Sequence, residues 1–101
     1  MKSYDKAYAM EILRNFKDII DNIDKVIFDD CEIRFCKKFE IDEKEIGHTL
    51  ATIVMREKPI VIFRDDEVDG THLNLDYEDL LIWSDLLKCL QECFEVEEDG
   101  N

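Results

Sequence analysis

An α+β fold of the order α-β-β-β-α, with two helices packed on a small antiparallel three-stranded sheet, is predicted by three observations. Apolar residues recur at steps of three and four from Tyr4 to Ile27; the period changes to two after Phe28-Asp29-Asp30; a 3.6-residue period returns from Asp76 to Val96. Three Gly and one Pro in 101 residues leave little room for linkers, and no internal repeat is present, so residues 1–101 are expected to form one compact domain.

The first helix is expected from Tyr4 to Ile27, because Ala9, Ile12, Leu13, Phe16, Ile19, Ile20, Ile23 and Ile27 fall on one stripe. Ser3 is its expected N-cap, and Lys17, Asp18, Asp21 and Lys25 make its wet face. The first strand places Cys31, Ile33, Phe35, Phe39 and Ile41 on one face and Glu32, Arg34, Cys36, Lys38 and Glu40 on the other. Lys37 interrupts the apolar face and marks a bulge or a side chain reaching to the sheet edge. Asp42 to Gly47 reads as a turn, Thr49 to Arg56 as the second strand, and Pro59 to Arg64 as the third, joined through Glu57-Lys58. Connections this short require antiparallel pairing. The last two strands are apolar on both faces, which predicts that at least one is central and covered on each side.

The second helix is expected from Asp76, its N-cap, to Val96. Leu80, Ile82, Trp83, Leu86, Leu87, Cys89, Leu90, Cys93 and Phe94 occupy about half its circumference; Glu78, Ser84, Asp85, Lys88, Gln91, Glu92 and Glu95 occupy the rest. Leu81 is out of place among them, and Tyr77 stands at the start of the same face. Residues 96–101 are expected to be a frayed acidic tail.

Charge is the most informative feature. With 26 Asp and Glu against 13 Lys and Arg the formal charge is −13, which excludes a conventional binder of nucleic acid phosphates. Residues 1–30 carry five bases and seven acids, net −2; residues 31–64 carry seven and six, net +1; residues 65–101 carry Lys88 against thirteen acids, net −12. Solubility alone is met by charge spread over the surface, so this concentration calls for a further reason. Asp76, Glu78 and Asp79 lie where carboxylates favour the helix dipole, whereas Glu95, Glu97, Glu98 and Asp99 oppose it at the other end. Asp65, Asp66, Glu67, Asp69, Glu78, Asp85, Glu92, Glu95, Glu97 and Glu98 are therefore the candidate partner-binding acids, with Leu81 as an apolar anchor.

Catalysis is not expected. His48 and His72 each lie in or beside a turn with no neighbour that completes a nucleophile arrangement, and no Gly-rich phosphate loop is present. Cys31 and Cys36 are five apart on a predicted strand and point to opposite faces, and Cys89 and Cys93 lie on the apolar side of a helix, so the four cysteines read as reduced thiols rather than a zinc site. No metal and no cofactor are expected. Nothing at Met1 to Lys6 resembles an export signal and no apolar run spans a membrane, which predicts a cytoplasmic location.

Two resemblances bear on function. The segment Asp65 to Asp76 partly resembles the twelve-residue loop of the EF-hand family, with Asp65, Glu67, Asp69 and Asp76 at positions 1, 3, 5 and 12 and Gly70 at the sharp turn, which implies a calcium-binding module. It departs at position 3 (Glu67), at position 12 (the short Asp76) and at position 8 (His72), and a strand precedes it; a plain acidic loop fits these departures better. In size, acidity and element order, the chain resembles the phage anti-CRISPR proteins and other DNA mimics, and the immunity proteins that neutralise nuclease toxins. That likeness implies a non-enzymatic inhibitor seated on the basic nucleic-acid-binding surface of another protein, such as a CRISPR effector or a nuclease, without binding nucleic acid itself. A homodimer or homo-oligomeric scaffold module is the alternative, required if one apolar sheet face lacks a covering helix.

Overall fold

The structure, a computed structural model, describes residues 4–64 and 75–95, the side chains of Phe39, Ile41 and Glu95 excepted. Among them the order is α1 (Lys6–Arg14), α2 (Lys17–Ile20), β1 (Lys25–Phe28), β2 (Glu32–Ile41), β3 (Lys44–Val54), β4 (Ile60–Phe63) and α3 (Tyr77–Glu95). The class is α+β as expected, but with three helices and a four-stranded antiparallel sheet of order β1-β2-β3-β4.

The expected helix from Tyr4 to Ile27 is thus two short helices and a strand. Asp5 is the N-cap of α1, its side chain accepting from the Tyr8 backbone N–H at 3.1 Å; Ser3 lies outside the described residues. The helix stops at Asn15, and the segment from Asp21 to Asp24 is rich in side chains that compete with the helical ladder. Asn22 Nδ2 donates to the Asp18 carbonyl at 3.2 Å, and Asp24 Oδ2 accepts from the Lys38 N–H at 2.7 Å, which stitches the end of the helical segment to β2. The β-branched and aromatic run Val26-Ile27-Phe28 then pairs with Ile33 to Phe35. Steps of three and four survive the break because both helices turn the same side to the core.

Val26, Phe35, Ala51 and Phe63 form one cross-strand row, and Phe28, Ile33, Ile53 and Val61 the next. These rows face the helices. Ile33, Phe35, Ala51 and Ile53 are fully buried against Ala9, Ile12 and Leu13 of α1 and Trp83, Leu86, Leu90, Cys93 and Phe94 of α3. Trp83 sits edge-on between Phe35 (5.0 Å, 85°) and Phe63 (5.3 Å, 87°). Tyr4 adds the buried end of the layer, its hydroxyl donating to the Asp29 carbonyl at 2.7 Å.

Two strand expectations are corrected. Lys44 to His48 belong to β3, paired with Lys37 to Ile41, so His48 lies in a strand and the turn is only Asp42 and Glu43. Edge strands β1 and β4 end opposite Cys36 and Ala51, and the rest of the β2–β3 hairpin continues as a two-stranded ribbon, in which the apolar alternation is present in β2 (Phe39, Ile41) but not in Lys44 to His48. The irregularity near Lys37 is a register shift between Phe35 and Cys36 that leaves Leu50 of β3 as the extra residue, so neighbours Leu50 and Ala51 are both buried. Cys31 is exposed and precedes β2 rather than sharing its apolar face.

Asp42 (φ 51°) and Glu43 (φ 64°) are both left-handed, as a two-residue hairpin turn of type I′ requires. Asp tolerates this conformation; Glu does not. Glu43→Gly is therefore expected to stabilise the protein by about 0.5–1 kcal/mol in urea unfolding, and an unchanged or lowered midpoint contradicts the strained turn.

Candidate anionic face

α3 opens with a reciprocal cap: the Asp79 N–H donates to Asp76 Oδ1 at 2.9 Å and the Asp76 N–H to Asp79 Oδ2 at 3.3 Å, as expected for an N-cap at Asp76. Two of the carboxylates at this end are used in holding the helix start. Turning Trp83, Leu86, Leu90 and Cys93 to the sheet leaves Glu78, Asp85 and Glu92 exposed. They are spaced by seven, so each lies within about 20° of the last and the three span ~21 Å along the helix.

None of the three forms an ion pair with a described lysine or arginine; the salt bridges among described residues lie at Lys6–Asp30, within the Asp29–Glu32–Arg34 group and at Lys38–Glu45. Asp85 lines an open cleft of about 400 Å³ between α3 and the α1–α2 junction, which Arg14 and Lys17 also line without reaching it. Glu92 is held in place by the Tyr8 hydroxyl, which donates to its Oε2 at 2.8 Å. α1 thus orients the end of the acidic line.

Neighbouring groups register the negative potential. The hydrogen bond to Glu92, and then its charge, raise the Tyr8 phenol above its ordinary value. Burial first, then the charges of Asp5 and Glu92, push the Cys93 thiol up to about 11; burial, Glu92 and Asp85 raise Cys89. Cys31, Cys36, Cys89 and Cys93 are free thiols, and the two helical ones, Cys89 and Cys93, are held in the unreactive protonated form.

At the start of α3 the exposed side is apolar. Tyr77 is 75 % exposed and Leu81 49 %, and Leu80 stands with them rather than on the buried stripe where its spacing placed it. Residues 77, 80 and 81 make a patch beside Glu78. The exposure of Leu81 among the acids is legible from its place on the helical wheel; the exposure of Leu80 and the Tyr8–Glu92 hydrogen bond are not, the latter because its partners are 84 residues apart.

Of the other candidates, Asp65, Asp66, Glu67, Asp69, Glu97 and Glu98 lie outside the described residues, as do the EF-hand-like loop, His72 and the expected tail; Glu95 is the last residue of α3. The structure therefore brings together Glu78, Leu81, Asp85 and Glu92. Among the described residues no three His, Cys, Asp or Glu side chains cluster as a metal site, and no helix is long and apolar enough to cross a membrane.

Tyr8 must keep its proton to bind Glu92. Its folded pKa lies above the ordinary 10.0, so its contribution to stability is complete below pH 10 and is lost as pH rises through the raised value. Ultraviolet titration is expected to show two late-ionising tyrosines, Tyr4, which burial pushes up to about 12, and Tyr8, of which only Tyr8 returns toward 10.0 in Glu92→Gln; a titration curve unmoved by that substitution contradicts the contact.

No protein-family model, curated protein or solved structure matches the chain.

Proposed function

We propose that the protein is a non-catalytic inhibitor that occupies the basic nucleic-acid-binding surface of another protein, its α3 carboxylates standing in for backbone phosphates. The observation that carries this reading is the line Glu78, Asp85 and Glu92, exposed along one helix face and unpaired with described cations. Free carboxylates on an oriented frame offer a cationic groove what phosphates offer it, and they do so without the entropy cost of ordering flexible acids.

The length fits. The ~21 Å from residue 78 to residue 92 is about six base-pair steps of one duplex strand. The apolar patch of Tyr77, Leu80 and Leu81 at one end supplies burial that phosphates lack, which favours a protein groove with an apolar rim. Anti-CRISPR-type mimicry of DNA against a CRISPR effector is the form of this reading we favour; an immunity protein against a nuclease toxin uses the same surface chemistry. The proposed site of action is the cytoplasm, where both kinds of target work.

Capture from the native host with the wild-type chain and with the combined Glu78→Lys, Asp85→Lys and Glu92→Lys variant tests it. The wild type is expected to retain a nucleic-acid-handling protein, and the reversed variant to bind that protein at least ~100-fold more weakly at low salt while melting like the wild type. Equal affinity for the two chains contradicts the assignment of this face.

A further inference from the structure

The expectation that a central strand is covered on both sides is not met. All three helices pack on one face of the sheet, and the other carries its own apolar set. Ile27, Arg34, Thr52 and Ile62 form one cross-strand row there, and Glu32, Val54 and Ile60 the next. Ile62 is 51 % exposed and Ile60 39 %. Exposed isoleucines on an edge strand, with Val54 paired to Ile60 beside them, make a contiguous patch rather than scattered single residues; Ile27 lies at the far edge, across Arg34 and Thr52.

Charge decides what covers it. Lys25, Arg34 and Lys38 share this face with Glu32, Glu40 and Glu45, three of each sign, on a chain of net charge −13. A groove of about 410 Å³ runs here past Lys25, Arg34, Cys36 and Lys38. It is a poor anion site, because Arg34 Nη2 already binds Asp29 Oδ2 at 2.6 Å and Lys38 Nζ binds Glu45 Oε1 at 3.0 Å. A strongly basic partner gains nothing from a neutral face either. A second copy of the same chain meets it across a locally balanced surface and keeps the two α3 acid lines apart, whereas contact through α3 opposes carboxylate to carboxylate.

We propose that two copies pack open face to open face, as the two sheets of a sandwich ~10 Å apart, with both α3 faces turned outward. The four-stranded section and the projecting ribbon offer a footprint on the order of 500 Å² per copy, about 1,000 Å² in all, at the lower bound for a specific interface. The dimer is therefore weak, with a dissociation constant in the micromolar range. It places two anionic faces on one particle, pointing away from each other.

Sedimentation velocity of the full chain without any partner, from about 1 to 300 µM, tests the dimer independently of the inhibitor reading. The expected result is a rise from one to two chain masses, a dissociation constant raised at least ~10-fold by Ile62→Lys and by Ile60→Lys, and none of this by Tyr77→Lys. Should a variant fail to fold, alkylation of the wild type gives the same answer: Cys36, on the covered face, is slowed as concentration rises, and exposed Cys31 is not. A monomer throughout the range, a dimer indifferent to Ile60 and Ile62, or a dimer lost with Tyr77→Lys overturns the proposal.

Discussion

Trp83, wedged edge-on between Phe35 of β2 and Phe63 of β4, sets the rotation of α3 about its own axis. A helix advances 100° per residue, so fixing one bulky side chain inward fixes the heading of all the others. With Trp83, Leu86, Leu90 and Cys93 on the sheet, Glu78, Asp85 and Glu92 have no choice but to face outward in a line. The anionic face is thus a consequence of core packing. Its stiffness comes from the same source, since turning α3 would pull a tryptophan out of a close-packed slot.

Among the described residues, charge differs between the two faces of the folded molecule. The helical layer carries Glu78, Asp85 and Glu92 without an ion pair to a described lysine or arginine; the Glu92 hydrogen bond raises Tyr8, and burial, assisted by nearby carboxylates, raises Cys89 and Cys93. On the opposite sheet face Arg34 is paired with Asp29 and Glu32, and Lys38 with Glu45. One side of the molecule repels another copy of itself and the other side does not, so binding of a cationic target and self-association need not compete for surface.

Residues 77 to 95 were legible because their buried and wet sides alternate with a clean helical period and because Asp76 caps in sequence. The β2 pattern of Ile33 and Phe35 was legible for the same reason. The early segment was misread because α1 and α2 face the core on one side, which preserves steps of three and four across the break at Asn15, and β1 is too short to show a period of its own. The β2 half of the ribbon, through Ile41, follows from the alternation, whereas Lys44 to His48 of β3 reads as a turn because its one apolar residue, Ile46, shows no period. The exposed face differs from expectation for the converse reason: the apolar pattern of Val54, Ile60 and Ile62 implies a cover, but no described helix supplies it.

The central claim is that the α3 face competes with phosphate for a cationic surface. Competition tests it most directly: the captured partner is titrated with duplex DNA or RNA at a fixed concentration of the chain. The account predicts that the apparent affinity for the chain falls in proportion as the nucleic acid fills the groove. Simultaneous binding, with the chain's affinity unmoved at saturating nucleic acid, would contradict it.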